Sequence, residues 1–79
     1  MELHYCPETD SLYVDLADRT AVDSIEVAPG LVVDLDAEGR LVGLDVDHAS
    51  QTLDLRRIVA TVDHRPVADV PLLASSARP

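Results

Sequence analysis

Residues 31–46 read LVVDLDAEGRLVGLDV, two runs in which apolar and polar side chains alternate on either side of Glu38-Gly39. Alternation with a period of two marks a strand with one buried face. A two-residue loop at Glu38-Gly39 sets Ala37 opposite Arg40, Asp36 opposite Leu41 and Leu35 opposite Val42. Because cross-strand neighbours share a face, Leu31, Val33 and Leu35 then line up with Val42, Leu44 and Val46. A type I′ turn needs positive φ at both central residues, which Gly39 accepts and Glu38 resists. A bulged turn centred on Gly39 is therefore the alternative. In either form the stretch is a β-hairpin.

Working outward, residues 2–5 alternate and place Leu3 and Tyr5 on one face, and the run 6–10, Cys-Pro-Glu-Thr-Asp, is turn chemistry. Residues 11–17 put Leu12, Val14 and Leu16 inward and Tyr13 and Asp15 outward; residues 22–27 put Ile25 and Val27 inward. Ala28-Pro29-Gly30 fits a type II turn, with proline and glycine in its two central places. Short strands joined by turns of this length predict antiparallel pairing, since parallel strands need long crossovers. Over residues 52–62, Leu55, Ile58, Val59 and Val62 follow the i, i+3, i+4, i+7 spacing of a helical stripe. Ser50 or Thr52 supplies its N-cap, although the β-branched residues in it make packing necessary.

The expected fold is α+β: an antiparallel β-meander of four to five strands with one C-terminal helix packed on one face. Residues 1–63 make a single ββββ(β)α domain. Residues 64–79, interrupted by Pro66, Pro71, Ser75, Ser76 and Pro79, make an extended or flexible C-terminal tail. The expected core is Leu12, Val14, Ile25, Val33, Leu35, Val42, Leu44, Leu55, Ile58 and Val59.

The chain has 79 residues, no Trp or Phe, and a single cysteine, Cys6. A core of this size is thin, roughly 3–5 kcal/mol, unless a disulfide or self-association adds to it. One cysteine makes no internal disulfide, so self-association is the expected supplement. A formal charge of −9, with six arginines and no lysine, argues against nucleic acid and favours a basic protein partner or cations. The N-terminus lacks a basic region followed by an apolar run, and no stretch has the length to span a bilayer. A soluble, cytoplasmic protein is expected.

Tyr5, Pro7, Glu8, Thr9, Asp10 and Leu12-Tyr13-Val14 resemble the YDPEADALYI opening of a bacterial family, domain of unknown function 2283. Glu26-Val27-Ala28-Pro29-Gly30 is similar to its E-x-APG turn. Val33-Asp34 with Gly39-Arg40-Leu41-Val42-Gly43-Leu44 resembles its VDYDEDGRVVGIEI, and His48-Ala49-Ser50 its DAS. The resemblance covers about residues 3–58. It implies a small β-meander with a C-terminal helix and no established catalytic residues. Relatives lying beside small toxin-like proteins make it imply an antitoxin-type role as well. Cys6 and His48 stand where the family has Asp.

Four constellations bear on function. Asp34, Asp36, Asp45 and Asp47 point away from the core row beside Asp15 and Tyr13, a carboxylate face suited to solvent or to a hard cation. His4, Cys6 and His48 are zinc-type ligands without tight zinc spacing. Cys6 and Ser50 lack any nucleophile motif around them, and Ser50 is explained as a helix cap. Tyr13, Val22, Val32 and Leu41 are apolar residues on the outer face, the expected interface with another subunit. The expected function is thus a non-catalytic protein-interaction or oligomerisation module, antitoxin-like or regulatory, with no cofactor. The alternative is a small enzyme or ligand-binding protein whose site forms between subunits around Asp34, Asp45 and His48.

Overall fold

The computed structural model describes residues 1–72, which fall into two compact units, residues 1–49 and the residues from 50 onward. Compactness thus divides the chain between residues 49 and 50, whereas the sequence pattern set a boundary between 63 and 64.

The first unit is an antiparallel sheet of β1 (Glu2–Cys6), β2 (Ser11–Asp15), β3 (Asp23–Ala28), β4 (Leu31–Leu35) and β5 (Leu41–Val46). These are the strands that alternation predicts. Their order, however, is β1-β2-β5-β4-β3, so the sheet is not a simple meander. β2 pairs with β5, and residues 16–22 cross the ends of β5 and β4 to begin β3 at the far edge. The arrangement of β2 to β5 is a Greek key traced in the reverse chain sense. Three inter-strand spacings, about 14 Å, lie well within the reach of seven residues. The crossing is tied down on the way. The N–H groups of Leu16 and Ala17 bond Val42 O at 2.8 and 3.2 Å, and the N–H of Val22 bonds Leu35 O at 2.8 Å.

In the β4–β5 hairpin, Leu31 pairs with Val46, Val32 with Asp45, Val33 with Leu44 and Asp34 with Gly43, the expected register. The turn takes the bulged form. Gly39, at φ +79°, donates its N–H to Asp36 O at 3.0 Å, and Asp36 N–H bonds Arg40 O at 2.9 Å. Leu35 consequently pairs with Leu41, and the register is restored by a shift between Asp34 and Leu35. At the β3–β4 turn Ala28 faces Leu31, and Gly30 has φ +78°, the positive value that the second central place of a type II turn demands.

Pairing across all five strands sorts the side chains into rows. On one face lie Leu3, Val14, Leu44, Val33 and Ile25, and next to them Tyr5, Leu12, Val46, Leu31 and Ala28. Opposite lie Glu2, Asp15, Gly43, Asp34 and Ser24, then His4, Tyr13, Asp45, Val32 and Glu26. We call these the inner and outer faces. Burial within this unit concentrates at Leu12, Val42, Val46 and Ala49. Val14, Leu31, Val33, Leu35 and Leu44 are half-buried, and at the β3 edge Ile25 is 45% and Val27 56% exposed. Ile25, expected in the core, therefore lies at its open margin.

The second unit departs furthest from expectation. The only helix among the described residues is α1 (Ala49–Thr52), four residues long at the unit boundary. Where a helix was expected over residues 52–62, the chain forms β6 (Arg57–Val62), which pairs antiparallel with β7 (Arg65–Pro71). Ile58, Val59, Thr61 and Val62 are β-branched, and the extended chain suits them better than a helix does. Asp63 and His64, at φ +51° and +64°, form the two-residue turn between Val62 and Arg65. Pro66 and Pro71 are accommodated because each strand of a two-stranded ribbon is an edge, and a bulge between Ala60 and Thr61 shifts the register beside Pro66. Leu55 is buried, Ile58 half-buried and Val59 exposed. Residues 64–71 of the expected tail are thus extended and paired, while Ser75, Ser76 and Pro79 lie outside the described residues.

Candidate functional site

The outer face is where the polar chemistry of the sheet gathers. Its centre is Gly43 on β5, which pairs with Asp15 of β2 and Asp34 of β4. The phenol of Tyr13 lies in the space that a side chain at position 43 would occupy. Its hydroxyl donates to Asp34 Oδ2 at 3.0 Å, and Ser24 donates to Asp34 Oδ1 at 2.7 Å. Burial against the sheet raises the Tyr13 pKa, and its hydrogen bond and proximity to Asp34, with Asp15 and Asp45 nearby, raise it further. The tyrosine stays protonated and serves as a clamp, holding the Asp34 carboxylate across three strands.

Asp34 and Asp45 of the expected polar site are therefore on one face, on either side of Tyr13 and Gly43. His48 is not on those rows. It sits beyond β5 in the turn that precedes α1, at φ +50° and exposed. Asp47 likewise lies past the strand, where its N–H bonds Gly30 O at 2.8 Å.

Asp36 is not part of the solvated face at all. It is 7% exposed and anchors the hairpin turn. Its Oδ1 accepts the N–H groups of Glu38 and Arg40, each at 2.9 Å. Its Oδ2 meets the Nε atoms of Arg40 and Arg19, also at 2.9 Å. These bonds, led by the Arg40 N–H, hold its carboxyl below the usual range against the opposing effect of burial. Arg19 also donates to Leu41 O at 2.7 Å, tying the 16–22 crossing to the same turn.

In the strand pairing the four expected interface residues fall into two pairs. Tyr13 and Val32 flank Asp45 in an outer row and are half-buried. Val22 and Leu41 are exposed near the turn end, with Leu41 paired to Leu35 rather than to Asp36. The bulge at the turn is the cause.

At the N-terminal end, Tyr5 donates to Asp10 Oδ1 at 2.6 Å, and Asp10 O accepts the Ala49 N–H at 2.9 Å. The tyrosine and aspartate of the opening motif thus hold the β1–β2 turn and the start of α1. Cys6 is exposed, and its thiol pKa is lowered chiefly by hydrogen bonding to Thr9.

Among the described residues, the histidine, cysteine and carboxylate donors that come together are those of Glu2, His4 and Asp15, within 4.8 Å of one another. Cys6 and His48 are not in that group. The sequence pattern set His4 beside Cys6 and His48 without making them a site, and it passed over Glu2. The signal was present in the i, i+2 spacing of Glu2 and His4, which puts both on one face of a strand.

The sequence matches the family described as protein of unknown function DUF2283 over residues 2–50. No curated protein and no solved structure matches it. The matched span takes in β1 to β5 and ends within α1, so the family's shared part is the five-stranded sheet.

Proposed function

We propose that this chain, which belongs to the DUF2283 family, is a non-catalytic self-association module whose inner sheet face is completed by a second copy. The observation that carries the reading is the division of charge between the two faces. The outer rows hold Glu2, Asp15, Asp34, Asp45 and Glu26, whereas the two inner rows from Leu3 to Ile25 and from Tyr5 to Ala28 hold no charged residue. Two chains of charge −9 repel at their carboxylate faces. Meeting through the inner face near Ile25 and Val27 keeps those carboxylates in water while removing apolar surface from it. Such burial is worth about 25 cal/mol per Å², and a small domain without disulfides benefits from it. The contact is isologous, the same patch serving both partners.

Light scattering tests this. The native protein is expected at twice the chain mass, and Ile25→Asp at the single-chain mass with an unchanged circular dichroism spectrum. A folded native protein of single-chain mass at high concentration overturns the proposal. Association through the inner face also leaves the carboxylate rows free for the basic protein partner that an antitoxin-like or regulatory role implies. Binding there is expected to weaken as salt is added.

A further inference from the structure

We propose that Glu2, His4 and Asp15 form a binding site for a divalent first-row transition ion such as Zn²⁺. Glu2 and His4 are alternate residues of β1, and Asp15 of β2 is the direct cross-strand partner of Glu2. The strand pairing therefore delivers one imidazole nitrogen and two carboxylates to one patch of the outer face, their donor atoms within 4.8 Å of one another. His4 Nε2 already lies 3.6 Å from Glu2 Oε1. Ligands on a tetrahedral zinc ion at about 2.0–2.2 Å stand roughly 3.3–3.6 Å apart. Glu2 and His4 are exposed and Asp15 half-buried, so small rotations of unpacked side chains close the remaining gap.

The nitrogen donor separates this trio from the other carboxylates of the face. Oxygen alone suits Ca²⁺ or Mg²⁺, while imidazole shifts preference towards zinc, nickel or cobalt. A recess of about 220 Å³, lined by Met1, Glu2, Asp15, Ala17 and Asp18, borders the same two carboxylates. It gives the ion's remaining coordination positions room for water, and Asp18 adds negative charge at its rim. The site is independent of the inner-face contact.

Isothermal titration of the purified chain with Zn²⁺ tests the assignment, with visible absorption of the Co²⁺ form reporting the ligand geometry. One equivalent is expected to bind. Removing a ligand is expected to cost at least the roughly 10–100-fold in affinity that loss of an outer-shell partner costs. His4→Ala and Asp15→Asn should each show that loss, and His48→Ala, His64→Ala and Cys6→Ser should bind as the native chain does. Circular dichroism checks that all variants are folded. Absence of Zn²⁺ binding to the native chain, or equal affinity in His4→Ala, overturns the proposal.

Discussion

The five-stranded sheet and the β6–β7 hairpin are built from similar material and held in different ways. Both are rich in valine, both are antiparallel, and both contain bulges. In the sheet, side chains bind segments distant in sequence: Tyr13 to Asp34, Ser24 to Asp34, and Arg19 to Asp36. The hairpin has its backbone ladder, an Arg57–Asp69 pair at 2.9 Å, and valines at 59, 62, 67 and 70 that remain exposed. A two-stranded ribbon is marginal in water by itself. The family match includes the sheet and stops before the hairpin. What the difference teaches is that alternation makes a strand, but cross-strand anchoring and burial make a stable unit.

The sharpest way to break this contrast is at the centre of the sheet. Leu12→Ala removes a buried side chain and should cost about 2–5 kcal/mol in urea unfolding. Val67→Ala, 64% exposed in the hairpin, should change stability by no more than about 0.5 kcal/mol. Equal effects would erase the distinction.

Gly43→Ala puts a methyl group where the Tyr13 phenol lies and should cost about 1–3 kcal/mol. In a Tyr13→Ala background the same change should cost much less, because the space is then open. The non-additivity, measured as a double-mutant cycle, reports the clamp directly.

Asp36 makes the sheet sensitive to acid. Its carboxyl is held below 3.8 in the folded chain, so its ionised form contributes stability above the unfolded value. That contribution is lost as pH falls through the folded value. Urea midpoints taken from about pH 5 down to pH 2 should decline more steeply for the native chain than for Asp36→Asn. Parallel slopes would remove Asp36 from the account.

The smallest effect belongs to the hairpin's ion pair. Arg57 and Asp69 are exposed, and Arg57→Ala should cost between about 0 and 1 kcal/mol, diminishing with salt.

Much of the sheet was legible because its signals are local. Pro29-Gly30 and Gly39 mark turns through the φ values they accept, and alternation separates the faces once a turn is placed. The strand order was not legible, since joining β2 to β5 depends on bonds from Leu16, Ala17 and Val22 to residues some thirteen to twenty-six positions away. The clamp on Gly43 was hidden for the same reason: it exists only if β2 lies beside β5. The grouping of Glu2 and His4 with Asp15 needed the β1–β2 register.

The second unit misled through coincidence. Leu55, Ile58, Val59 and Val62 fit a helical stripe, yet Ile58, Ala60 and Val62 also alternate, and the β-branched content decided between them. Asp63-His64 is not a common pair for a tight hairpin turn, so nothing local announced the reversal. Asp36 looked solvated because alternation says nothing of a side chain that folds back on its own turn, although an Asp three residues before Gly39 is itself a turn signal.

Inner-face association is tested most directly by hydrogen–deuterium exchange over residues 23–35 as a function of protein concentration. Inner-face association predicts that exchange in β3 and β4 speeds up on dilution and in Ile25→Asp, while β1 and the β6–β7 hairpin exchange at unchanged rates. Exchange in β3 and β4 that is the same at every concentration in a folded protein would contradict it.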